Sequence, residues 1–426
     1  MSSKAQREDA KWVAEVVGWV AEELNIVPQD VSYRQFISRL KEHCDEEDTQ
    51  FDLIEAQGLV KSGGGFKNIK DSFFKPVVTE EAVRVTRTAQ SNRKEAKSEA
   101  ERGLFLTQLT ENLTNLVKPV SISGFKLPPK AKFLERTQHL IISDTHWGSD
   151  LDSNVGIRKY SIEEESRSLA KICVEAAEYK RQYRKETKLV VPILGDLLCG
   201  KLHDREYGAP LSQQMARAIH LMVEGLLFLC SQYPSVEAYG VGGNHDRITS
   251  RHPGRASTGK EDNYAVPLYF AVKKALAKIP NFKMNIPMSS NIVYEANGHH
   301  YYNTHGDTNF VIPNPNSSLN IRGIENSINK LNAHQNGPRY KVVVVGHHHS
   351  GMILHLTNGV VLLVNPPLTP VDQYAVSINI DPDAPAGQWL FESVDGHAVG
   401  DSRFLKVSEK DRQDPSLDKV IPIFKL

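Results

Sequence analysis

Carboxylate, imidazole and carboxamide side chains recur in five short clusters, each behind an apolar, strand-like stretch. They are Asp144 with His146, Asp196, Asn244 with His245, His305, and His347 with His349. Every cluster has a glycine within two residues, which lets backbone and ion approach closely. Oxygen and nitrogen donors without thiolate suit Mn²⁺, Fe²⁺ or Zn²⁺, with Mg²⁺ a further candidate, better than a cysteine-rich structural zinc site. Eight such side chains are too many for one ion, and seven of them are enough for two that share a bridging carboxylate. Any single cluster could be a strand-end cap or a satisfied core histidine, but that reading explains all five together poorly.

The elements that must position these residues follow an α/β pattern from about residue 136. The run His139-Leu140-Ile141-Ile142 reads as a buried strand that stops at Asp144. Residues i and i+2 of an extended chain share a side, so Asp144 and His146 would emerge together at a strand end, where open α/β sheets place ligands. The same period turns His347 and His349 one way and His348 the other. A helix over 161–187, the apolar strand Leu189–Leu194, a helix over 211–232 and a strand over 236–242 lead to Asn244 and His245. A helix over 264–278, strands over 291–295 and 300–303, a helix over 318–334 and a strand over 340–346 follow. Short strands over 352–356, 359–364, 375–380 and 388–393 finish this domain, assigned to 136–395, with 396–426 as a C-terminal tail.

Ahead of it, helical spacing predicts helices over 8–25, 33–43 and 47–57, the last ending before Gly58, and a short basic helix from Phe66. Residues 1–78 thus form an all-α, helix-turn-helix-like module, with a plain docking bundle as the equal alternative. Residues 79–135 are a charged helix and a Pro/Gly linker. Arg84, Arg87, Arg93, Lys94 and Lys97 could touch phosphates, although a charge run is usually a solvated face.

Lys+Arg and Asp+Glu are equal at 51 each, so any polyanion-binding face must be local. Cys44, Cys173, Cys199 and Cys230 are scattered, which reads as free thiols in a reducing cytosol. No stretch approaches the roughly 18 apolar residues of a membrane span. A cytoplasmic protein with no membrane partner is expected, with a homo-oligomer left open.

DTH, GDLL, GNHD, THGD and GHHH, in that order, resemble the five blocks of the calcineurin-like metallophosphoesterases over roughly residues 138–395. The resemblance implies a four-layer αββα sandwich and two ions about 3.5–4 Å apart. It implies that Asp144, His146 and His349 hold the first ion, that Asn244, His305 and His347 hold the second, and that Asp196 bridges them. It also marks His245 as the catalytic histidine, with Asp246 able to orient that imidazole from behind. The block wording is most similar to the DNA repair exonuclease branch, although that branch often carries its accessory domain after the metal core. Basic residues near the metal blocks, Arg247, Arg251, His203 and Arg205, are candidate substrate contacts, with ordinary loop pairing as the alternative. A metal-dependent DNA nuclease is therefore expected. The alternatives are a phosphatase or small nucleotide phosphodiesterase whose N-terminal module serves assembly or docking, and a non-catalytic scaffold, which would predict damaged ligand positions.

Overall fold

The computed structural model describes residues 4–25, 28–46, 53–62, 64–73, 101, 103–122, 125–129, 136–149, 160–183, 187–200, 208–248, 263–307, 312, 320–334, 337–371, 381 and 383–424. The chain divides into two compact units, Met1–Lys97 and Ser98–Leu426.

In the first unit, α1 (Lys4–Leu24), α2 (Tyr33–Glu46), α3 (Leu53–Ser62) and α4 (Phe66–Phe73) share a core of Val13, Val17, Val20, Phe36, Leu40, Val60 and Ile69. Gly58 does not end α3, which runs four residues beyond it. Gly lowers helix stability by about 1 kcal/mol, and burial of Ala56 and Val60 on α1 outweighs that.

The second unit begins with α5 (residues 103–116). The stretch read as a linker lies against the main core. Val117, Val120 and Phe125 pack on it, and the Val120 N–H donates to the Ala275 carbonyl at 2.8 Å. Two sheets follow. In the first, β1 (Arg136–Leu140), β2 (Thr187–Ile193), β3 (Val236–Gly240) and β4 (Phe282–Asn285) run parallel. Beside β1, β10 (Gly387–Ser393) and then β11 (Ser402–Lys406) add antiparallel. The second sheet has the order β5 (Asn291–Ala296), β6 (His299–Thr304), β7 (Tyr340–Val345), β9 (Val361–Val364) and β8 (Met352–His355).

Strand alternation builds the layers. Leu189, Val191 and Ile193 face α6 (Ile162–Tyr183), α7 (Leu211–Gln232) and α8 (Ala265–Ala275), while Val190 and Leu194 turn toward the other sheet. In β7, Val342 and Val344 meet the first sheet, and Val343 and Val345 pack under α9 (Ile321–His334). Period-two burial on both faces therefore produces the four layers, helices–sheet–sheet–helix.

The boundaries differ in three places. Strand β1 ends at Leu140, and Ile142 keeps only an isolated bridge to Ile193. Strand β4 is too short and mixed to show a clear period. Residues read as a tail supply β11 and α10 (Glu409–Arg412), held by a Ser408–Asp411 capping box and by Asp418 on Arg167 at 2.8 Å. The segments 375–380, 47–52 and 79–100 lie outside the described residues. Among the described helices, none is long and apolar enough to cross a membrane, and among the described residues Cys173, Cys199 and Cys230 form no disulfide.

His139 is fully buried between the sheets, stacked on Phe391 and bonded to the Tyr294 hydroxyl and Ser393 Oγ at 2.8 Å each. Burial, aided by Lys188, lowers its pKa from 6.5 to about 3. The unfolded chain binds this proton near pH 6.5 and the folded chain does not, so stability falls as pH drops from 6.5 toward 3, by up to about 1.4 kcal/mol per unit. Denaturation midpoints measured from pH 7 to 4.5 should show this slope. It should shrink in His139→Phe, which starts about 1–3 kcal/mol less stable at neutral pH through its lost hydrogen bonds.

Candidate metal centre

The five clusters converge where the strands of both sheets end. Asp144 and His146 follow β1, Asp196 follows β2, Asn244 and His245 follow β3, His305 follows β6, and His347 and His349 follow β7. Potential ligand atoms lie within 4.8 Å of one another in three groups: Asp144–His146–His349, His146–Asp196–His245, and Asp196–His305–His347. His146 and Asp196 each occur in two of them, and only Asp196 joins His146 on one side to His305 and His347 on the other, as a bridging group must. Asn244 joins through its Oδ1, 2.9 Å from His305 Nε2.

Among the described residues, seven non-glycine positions have positive φ, and five are Asp144, His146, Asp196, His347 and His349, at +44° to +65°. Side chains rarely adopt this backbone, and such strain concentrates at functional sites. Extended-chain alternation was therefore the wrong reason for pairing Asp144 with His146 and His347 with His349. The strands have already ended, and each ligand is aimed by a left-handed turn. Gly195 (φ +93°) also precedes a ligand, because a Cβ there would strike the backbone of Gly243. A Cβ at Gly243 would in turn overlap the Asp196 carboxylate.

Backbone groups hold the donors. Both Asp144 oxygens accept the His347 N–H at 3.1 Å. Asp196 Oδ1 accepts the His245 N–H at 2.8 Å, and its Oδ2 lies 3.1 Å from His305 Nε2. His305 Nδ1 donates to the Leu194 carbonyl at 2.9 Å, which turns Nε2 to the centre. His146 Nε2 and His349 Nε2 are 3.2 Å apart, two nitrogens converging on one point.

Protonation states suit a cation. Burial and neighbouring imidazoles hold His146 well below its ordinary value and His347 down at about 3, so both lone pairs are available. Burial works against ionising Asp144 and Asp196, yet the facing imidazoles hold Asp144 at about 2 and Asp196 well below the usual range. Burial would depress His305, but the Asp196 charge raises it to about 9. That proton lies among Asp196, Asn244 and His305, where a cation would replace it. The buried donor set fits a pair of divalent ions.

Two expected roles change. The Asp246 carboxylate is taken up by the backbone. It accepts the N–H of Asp196, Leu198 and Gly243 at 2.8, 3.0 and 2.9 Å, clamping two ligand turns together. The His245 ring is oriented instead by the Cys199 carbonyl, 2.8 Å from Nδ1. A backbone carbonyl leaves no mark in sequence, so Cys199 could not have been picked out. Arg247 pairs with the nearly buried Asp307, a neighbour of His305 that sequence reading passed over. Arg251, His203 and Arg205 lie outside the described residues.

Two sheets with helices outside, and a buried Asp/His/Asn cluster at their strand ends, define a metal-dependent hydrolase of phosphoesters. The sequence matches the calcineurin-like phosphoesterase family over residues 139–369, just over half the chain, and the protein belongs to that family. No curated protein matches it. Among solved structures, an archaeal phosphodiesterase is 13% identical over 63% of this chain and 99% of its own, with a TM-score of 0.30. A dimetal phosphatase from Danio rerio is 12% identical over 64% and 99%, at 0.29. Vps29 from Chaetomium thermophilum is 12% identical over 64% and 95%, at 0.27.

Proposed function

We propose that the protein hydrolyses phosphodiesters with two bound divalent ions, Mn²⁺ first among them, and that its substrate is DNA. Asp144, His146 and His349 would hold one ion, Asn244, His305 and His347 the other, and Asp196 would serve both. The observation that carries this reading is that Asp196 shares one ligand group with His146 of the first set and another with His305 and His347 of the second. When bound, such a pair lowers the pKa of a shared water and neutralises charge gathering on the phosphoryl oxygens.

The chain's own residues supply the rest. Water oxygen bonds to phosphorus, the ester P–O bond breaks, and the departing oxygen needs a proton. His245 is the group for that transfer. While its Nδ1–H donates to the Cys199 carbonyl, it passes the proton on its other ring nitrogen to the departing oxygen and regains one from the proton the attacking water gives up. A ring nitrogen lies within 4.8 Å of ligand atoms of Asp196 and His146. Asp246 holds the Asp196 and Asn244 turns in register.

DNA is favoured by the block wording and by the separate N-terminal helical unit. A second reading, a small phosphodiester or a phosphomonoester, is favoured by Arg247, whose charge is matched by Asp307 rather than left for a polyanion. Purified protein with Mn²⁺ should cleave linear or single-stranded DNA as well as a small chromogenic phosphodiester. Cleavage of the small ester with DNA left intact would establish the second reading.

A further inference from the structure

Behind the first-ion ligands lies a set of buried amides that the chemistry above does not use. Ser143, Asn365 and Gln388 are each fully buried. Ser143 precedes Asp144 at the end of the six-stranded sheet, Gln388 sits on β10 of the same sheet, and Asn365 follows β9 of the other. The Asn365 amide is fully engaged. Its Nδ2 donates to Ser143 Oγ and Gln388 Oε1 at 2.8 Å each, and its Oδ1 accepts the Trp389 N–H at 2.9 Å. Gln388 Oε1 also accepts the Ser143 N–H at 2.8 Å, and its Nε2 donates to the Pro366 carbonyl at 2.9 Å. Backbone bonds fasten the same place: Asn365 N–H to the Val345 carbonyl at 2.7 Å, and Leu368 N–H to the Asp144 carbonyl at 3.1 Å.

A face-to-face sandwich needs no polar bond between its sheets, since apolar side chains fill that layer. Here three side chains bond across it: Ser143 is one residue from Asp144, and the Asn365 backbone bonds Val345, the residue before Gly346 and His347. A Cβ at Gly346 would press on both Asp144 Oδ2 and Ser143 Oγ. The first-ion set draws Asp144 and His146 from one sheet and His349 from the other, so its geometry depends on the register between sheets. Buried and completely satisfied networks fix one arrangement and make partial loss costly.

We propose that Ser143, Asn365 and Gln388 are positioning residues that lock the two sheets together at the metal end and thereby set the geometry of the Asp144–His146–His349 ion site. This rests on the two-ion reading given above. Partners that orient metal ligands from outside typically change metal affinity by about 10–100-fold when lost. The Asn244–His305–His347 set has further anchors of its own in Asp246 and Leu194, so the larger effect falls on the first ion.

The test is calorimetric titration of metal-free full-length protein with Mn²⁺, alongside the Mn²⁺ electron paramagnetic resonance spectrum, for wild type, Asn365→Ala, Ser143→Ala and His139→Phe. The last is a control for lost stability in the same sandwich away from the ligands. Wild type is expected to bind two ions and show a coupled-pair spectrum. Asn365→Ala should keep one tight ion, bind the other about 10–100-fold more weakly, and show an isolated-ion spectrum at limiting metal. His139→Phe should bind both ions as wild type does. Should Asn365→Ala fail to fold, Ser143→Ala, which removes one hydrogen bond, must show a weaker shift of the same kind. Two ions bound with wild-type affinity by folded variants overturn the inference, and so does equal weakening in His139→Phe. Wild type binding fewer than two ions instead overturns the two-ion reading on which the inference rests.

Discussion

Asp196→Asn should bind less than one equivalent of Mn²⁺ under conditions in which wild type holds two, and its phosphodiesterase kcat/KM should fall by roughly 10³-fold or more, the several kcal/mol of charge stabilisation ascribed to a metal pair. The substitution keeps the shape of the side chain and an acceptor for the His245 N–H, which bonds Oδ1 at 2.8 Å. It removes the charge that the His146, His245, His305 and His347 rings surround. A single carboxylate serving two ligand groups cannot be replaced by a neutral amide without weakening both. Comparable thermal stability of the metal-free proteins, with metal content and activity lost together, would locate the defect at the centre. Two ions retained at full occupancy would remove Asp196 from the bridging position.

The five blocks, their order and the alternation of strands and helices were legible in the sequence because they are local features, apolar runs with period two or 3.6, each block ending in a donor residue and a glycine; the four layers were what the resemblance implied. The centre itself draws on strand ends about 200 residues apart in the chain, such as His146 and His349, and the resemblance brought these together where periodicity could not. What stayed hidden was relational. The role of Asp246 inverted because three backbone N–H groups, invisible as letters, claimed its carboxylate. Asp307, the last letter of the THGD block, carries no assigned role in the sequence; its partner Arg247 shows one. Asn365 and Gln388 are unremarkable letters whose meaning comes from the two sheets they join. Strand β11 escaped because its alternation, Ser402 to Lys406, buries only Leu405 fully.

His245→Ala separates two roles that the geometry leaves side by side. The ring shares a ligand group with His146 and Asp196, with ring centroids of His146 and His245 4.5 Å apart, and its Nδ1 is held by the Cys199 carbonyl, an arrangement that serves an acid–base imidazole and a metal ligand alike. As a proton donor it matters most when the departing oxygen is a poor leaving group. On an alkyl phosphodiester kcat should fall by about 10²–10⁴-fold, the usual share of general acid–base catalysis. On a p-nitrophenyl ester, whose phenolate departs without a proton, the fall should be much smaller, and Mn²⁺ content should match wild type. If His245 were instead a ligand, removing it would release an ion, and both substrates would suffer alike because charge neutralisation at phosphorus is common to them. The ratio of the two losses, read beside the metal content, therefore decides whether this imidazole moves a proton or holds a cation.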